Sequence, residues 1–135
     1  MPILSSIVHI ARIVRSGLRE SLKARSDRWP KVRALKIAVT PLCESCGGTK
    51  RLQVHHVRPF HLDPTLELDM SNLIVLCMGP LECHERLGHG DDFKAYNPKI
   101  RDHAKATLAA ATDTALRAQL EQEAKNGRLY ADPLA

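Results

Sequence analysis

All four cysteines and five of the seven histidines of this 135-residue chain fall between Cys43 and His89, about a third of its length. The cysteines form two close pairs, Cys43 with Cys46 and Cys77 with Cys83. A chain this short buries only a modest core, so a metal staple would add stability that packing alone does not supply. In a reducing compartment such pairs are metal ligands rather than disulfides. Cys43-Glu44-Ser45-Cys46-Gly47-Gly48 reads as half of a zinc knuckle, in which a glycine-eased turn aims two thiolates at one ion. The second pair has five intervening residues, a wider loop around Gly79-Pro80 that is still expected to close on the same zinc, because no other cysteine exists. Four buried thiols are the bland alternative, and two paired spacings in one small chain weigh against it.

The local pattern around these ligands is mixed. Leu52 to Val57 has the composition of a strand, stopped by Pro59, and Leu73 to Leu76 reads as a short buried strand that delivers Cys77. Ser71-Asn72 turns the chain between them. Met78-Gly79-Pro80 makes a second turn, after which Cys83 to Leu87 can start a helix. Downstream, Asp91 or Asp92 can cap a turn whose Phe93 and Tyr96 are expected to pack on the core. Asn97-Pro98 then opens a helix that runs to Asn126-Gly127 with a break at Thr112-Asp113. Ile100, Ala104, Leu108, Leu116 and Leu120 would form one apolar stripe along it, with a loosely held tail from Leu129.

Charge is concentrated at the other end. The net charge is +5, yet residues 1–40 hold nine of the twenty Lys and Arg and two of the fifteen Asp and Glu. Ser5 or Ser6 can cap a helix with Ile7, Ile10, Ile13 or Val14, and Leu18 on one face and Arg12, Arg15 and Arg19 on the other. A weak point at Trp29-Pro30 is expected to precede a second helix over Lys31–Val39, with Val32, Leu35 and Val39 inward and Thr40-Pro41 ending it. Arg12 and Arg15 interrupt the opening apolar run, and no stretch reaches the roughly 18 apolar residues of a membrane span, so an intracellular protein without membrane contact is expected. A basic arm on such a chain suits nucleic acid, and a solvated helix face is the alternative.

Val54-His55-His56-Val57-Arg58-Pro59, then Asn72-Leu73-Ile74-Val75-Leu76-Cys77, then Cys83-His84, together resemble the HNH endonuclease family. The resemblance spans about Pro41 to Tyr96. It implies a small α+β fold, a zinc-stapled ββα-metal core flanked by N- and C-terminal helices, divided as residues 1–40 (basic helical arm), 41–97 (nuclease core) and 98–135 (helical segment and tail). It implies metal-dependent nicking or cleavage of DNA, leaving a 5′-phosphate and a 3′-hydroxyl. By the same resemblance His56 is the general base, His55 and His84 hold the catalytic divalent ion, and Asn72 fixes the loop that orients the base.

His89 stands five positions after His84, about 140° away on an ideal α-helix of about 100° per residue, and Gly88 is expected to break the helix first. That makes His89 a weaker third ligand. Arg58 is placed either on the scissile phosphate or in solvent, and His9, His61 and His103 at the surface. Zn²⁺ is the expected structural ion, and Mg²⁺ or Mn²⁺ the catalytic one, with Ni²⁺ or Zn²⁺ also suited to imidazole donors. Small proteins of this family are common in bacteria and their phages. This implies a cytoplasmic setting in a bacterial or phage-infected cell and phage DNA-processing proteins as partners. The alternative is a zinc-ribbon protein that binds nucleic acid without cutting it, and a third reading is an assembly factor whose helices bind protein.

Overall fold

The structure is a computed structural model that describes residues 24–90, 92–110 and 112–130. The expected amphipathic helix with Arg12, Arg15 and Arg19 lies outside the described residues.

At the centre is an antiparallel hairpin, β1 (Leu52–His56) with β2 (Leu73–Cys77), in the register Leu52 opposite Cys77 and His56 opposite Leu73. Two strands alone are marginal in water, so their stability must come from what covers them. Every residue of β2 is buried. Its outer edge is taken by the first cysteine turn, where Glu44 donates its N–H to Val75 O (2.9 Å) and accepts the Val75 N–H on its carboxylate (2.6 Å). The connection from β1 to β2 carries two single 3₁₀ turns, Pro64–Leu66 and Met70–Asn72. They start where the Asp63 and Asp69 carboxylates accept the N–H groups of Thr65 (3.1 Å) and Ser71 (2.8 Å).

Helix α1 spans Trp29–Val39. Trp29-Pro30 therefore begins the helix instead of weakening it, because a proline in the first turn forfeits no helical hydrogen bond. The expected inward face is also corrected: Leu35 and Val39 are 54% and 66% exposed, and no residue of the helix is buried. Trp29 sets the rotation. Its ring packs on His56 (centroids 4.6 Å apart), and the residues at its helical spacing, Val32, Arg33, Lys36 and Ile37, are the half-buried ones. Arg33 reaches Gln53 on β1 at 3.4 Å.

After β2 the chain enters a π-helix over His84–His89, then helices α2 (Ile100–Ala110) and α3 (Thr114–Asn126), which fold back on each other. Asn97 accepts the Lys99 N–H (3.0 Å) at the start of α2, and Asp113 caps α3 through Leu116 N–H (2.9 Å). The turn between them breaks the expected stripe. Ile100, Ala104 and Leu120 are buried, but Leu108 and Leu116 are 44% and 40% exposed, and Ala124 fills the core beside the cysteines instead. Tyr96 is buried as expected; Phe93 is 67% exposed. Leu129 is not loose, since it exchanges two 2.8 Å backbone hydrogen bonds with Tyr96. No helix among the described residues is long and apolar enough to cross a membrane.

Candidate active site and metal centres

The four cysteine sulfurs lie within 4.8 Å of one another. Cys46 Sγ and Cys77 Sγ are 3.7 Å apart, far beyond a disulfide bond of about 2.05 Å. A tetrahedral zinc with Zn–S bonds of about 2.3 Å requires sulfurs about 3.8 Å apart, so the donor set fits that ion. The first knuckle builds its half by backbone bonds, Gly47 N–H to Cys43 O (2.8 Å) and Cys43 N–H to Gly48 O (2.7 Å). The wider second loop brings Cys83 in at the start of the π-helix. Its thiol is pushed up to about 12 by the hydrogen bond with Cys43 and by burial, so four thiolates coexist here only around a cation.

Arg117 of α3 donates from Nη2 to Cys83 Sγ at 3.1 Å. It is itself held by Glu121 at 3.0 Å. Arg117→Gln is expected to release zinc to a chelator roughly tenfold faster, as when other outer partners of a ligand are lost. An unchanged release rate would show that the guanidinium does not steady the ion.

The second cluster is His55, His84 and His89, again with donor atoms within 4.8 Å. The ring centroids are 4.7 to 5.1 Å apart. Here the structure places His89, expected as a weaker third ligand, in one cluster with His55 and His84, because the segment is a π-helix. Gly90 N–H bonds Glu85 O (2.6 Å), an i to i+5 closure in which positions five apart share one face. Gly88 does not end the helix; Gly90 does, at φ 65°. Arg128 covers the exposed carbonyls of that end, donating to Gly88 O (3.1 Å), Glu85 O (3.2 Å) and Arg86 O (2.9 Å).

Each imidazole is prepared as a neutral donor. His55 is 2% exposed and neither ring nitrogen has a hydrogen-bond partner, a costly arrangement that a bound cation would relieve. Burial, with His84 and His89 nearby, holds it well below the ordinary histidine value. Burial and His89 push His84 down to about 4. His89 Nδ1–H donates to Ala95 O (2.8 Å), and His84 Nδ1 faces Met78 Sδ (3.1 Å), which leaves Nε2 of each as the nitrogen outside these contacts.

The His55 ring rests directly against the π-helix: a methyl group at Gly88 would stand 3.1 Å from His55 Cε1. Gly88→Ala is therefore expected to tilt this ring and weaken Mn²⁺ binding by about tenfold, measured by calorimetric titration. Equal affinity would mean the ring can move aside freely.

His56 occupies the same cleft, of about 330 Å³, as the three histidines. Its Nε2 donates to Glu67 O at 3.0 Å, which leaves Nδ1 with the lone pair. Burial lowers its pKa, opposed by the Glu67 carbonyl. Asn72 bridges the strand ends: its Oδ1 accepts the Arg58 N–H (2.9 Å), its Nδ2 donates to Arg58 O (3.0 Å), and its backbone O accepts Val57 N–H (2.8 Å). The Arg58 guanidinium is turned to Asp63 (3.7 Å) and does not line the cleft.

Three residues at the site carry no sequence signal that would have placed them there. Arg25 and Phe93 line the cleft, and Glu67, whose side chain is only 6% exposed, holds His56 through its backbone while its carboxylate accepts Ser26 N–H (3.1 Å). None lies at a ligand-like spacing from the histidines. The lone tryptophan was the one visible hint, and only packing shows that it meets His56.

Two strands and a helix converging on a histidine cluster, with a four-cysteine staple beside them, define a ββα-metal nuclease type of domain. Residues 43–90 match the model of the HNH endonuclease family, and the chain carries an HNH endonuclease domain over that span. No curated protein and no solved structure matches the chain.

Proposed function

We propose that this protein is a divalent-metal-dependent endonuclease that hydrolyses DNA phosphodiester bonds, with zinc held by Cys43, Cys46, Cys77 and Cys83. The observation that carries this reading is the shared cleft. There His56, with Nδ1 unprotonated, stands beside His55, His84 and His89, three neutral imidazoles gathered as one donor set. When bound there, a divalent cation stabilises the charge that develops on the phosphorane and the leaving 3′-oxygen. An all-imidazole set favours Mn²⁺, Ni²⁺ or Zn²⁺ over Mg²⁺.

His56 Nδ1 takes the proton of the attacking water, and the Glu67 carbonyl keeps the ring in the tautomer that can do so. Asn72 keeps β1 and the following loop in register so that His56 stays aimed at the cleft. In this reading residues 41–97 are the nuclease core, 98–135 are its helical support, and Arg12, Arg15 and Arg19 of the arm grip phosphates outside the cleft. The test is a supercoiled-plasmid assay across divalent metals, wild type against His56→Ala. Nicking by wild type and its loss in the variant are expected; binding without nicking under every metal would favour a DNA-binding role instead.

A further inference from the structure

Among the described residues no carboxylate lines the cleft, and the one charged lining side chain other than histidines is Arg25. Arg25 comes from the turn before α1, and its place is fixed by three groups from separate parts of the fold. Its guanidinium lies 4.4 Å from the Phe60 ring centre and 5.3 Å from that of Trp29. Both lie within the reach of a cation–π contact, and Trp29 is the ring that packs on His56. Glu67 accepts from Nη1 at 3.4 Å, a long bond, while the same carboxylate is already served by the Ser26 N–H at 3.1 Å.

Glu67 thus does not depend on Arg25 for its partner, and half of the Arg25 side chain, 51%, stays exposed. Two aromatic faces restrain the guanidinium itself, and the side chain still keeps half of its surface open to solvent. A guanidinium held so loses little freedom when it takes a phosphate, which it can bind through two parallel N–H groups.

We propose that Arg25 is the phosphate-gripping residue of the cleft: caged by Phe60 and Trp29, it binds a non-bridging oxygen of the DNA strand that enters beside His56 and sets where that strand lies. The inference rests on the nuclease reading, and it assigns the grip to Arg25, where the sequence left Arg58 between the scissile phosphate and solvent. Glu67 serves as the resting partner and is exchanged for the phosphate on binding.

The test uses the full chain with Arg25→Gln, Arg25→Lys and Glu67→Gln, measuring nicking kinetics and the salt dependence of duplex binding. Arg25→Gln is expected to raise KM on the order of tenfold to a hundredfold with a smaller change in kcat. Its log–log salt slope should be lower by about 0.9, the value of one phosphate contact. Arg25→Lys should restore the slope but only part of KM, because an ammonium lacks the planar fork. Glu67→Gln should leave the slope as in wild type. An unchanged slope in Arg25→Gln overturns the proposal, as does an equal loss of thermal stability and activity in Arg25→Gln and Glu67→Gln, which marks a strut. Should wild type fail to nick, the nuclease reading falls, and the salt slope still decides the role of Arg25.

Discussion

Replacing His56 by alanine is expected to lower DNA nicking by about two to four orders of magnitude, the range for loss of a general base, while zinc content and divalent-ion binding stay nearly intact. The reason lies in how its two nitrogens are used. Nε2 is committed to Glu67 O and the ring stands outside the His55, His84 and His89 donor set, so removing it deletes the Nδ1 lone pair, the Glu67 hydrogen bond and the Trp29 contact but none of the three donors. His55→Ala should fail differently. It removes one of three donors, so the ion binds more weakly and added Mn²⁺ restores part of the activity. His84→Ala and His89→Ala should behave alike, since the π-helix puts both rings on one face.

Titrating Mn²⁺ into the four variants while reading both binding and nicking separates the roles. Rescue of His56→Ala by metal, without rescue of His55→Ala, would reverse them. The pH profile carries its own sign. Burial holds His56 below the ordinary 6.5, so its neutral, proton-accepting form persists below that pH, and the acid limb of the wild-type rate should fall at a pH lower than 6.5.

Loss of the staple should be more drastic still. Cys46→Ser is expected to leave the chain unfolded or aggregated, and the folded wild type is expected to hold one zinc at its four cysteines by elemental analysis. The magnitudes decide this. A structural zinc site contributes about 10–16 kcal/mol in small zinc-binding units, and a domain of this size has about 5–15 kcal/mol of total stability. The cysteines are also part of the packed interior, since Cys43, Cys77 and Cys83 sit in one cluster with Ile74, Leu76, Leu87, Ile100 and Ala104. Removing the ion would leave mutually repelling thiolates, or unpaired thiols, at its centre. A folded, active sample that holds no zinc would sink the assignment.

The cysteine pairs and the strands were legible in the sequence because both are short-range properties. The pairing of Cys43 with Cys46, the strand composition around His55-His56, and the apolar run Leu73 to Leu76 are set by residues close in the chain, and the structure gathers all four cysteines where that pattern implied. Asn97 was legible as a helix cap for the same reason, since it bonds an N–H only two residues away, and the expected break at Thr112-Asp113 falls where Asp113 caps α3. Even the wide second pair was readable, by elimination among the cysteines.

What the sequence could not carry was rotation. A spacing of five between His84 and His89 has meaning only once the turn type is known, and that turn type is coupled to distant groups: His55 pressing on Gly88, and Arg128 returning from beyond α3 to cover the end carbonyls. The face of α1 likewise followed from Trp29 meeting His56, not from its leucine and valine spacing, which is why Leu35 and Val39 turned outward. Arg25 reached the cleft by the same route, through Phe60, Trp29 and Glu67, none of them at a spacing that names a site. Residue types close in sequence determined which chemistry the chain holds; long-range packing, which chooses a helix's turn and rotation by which buried partners it satisfies, decided which of those side chains share the cleft.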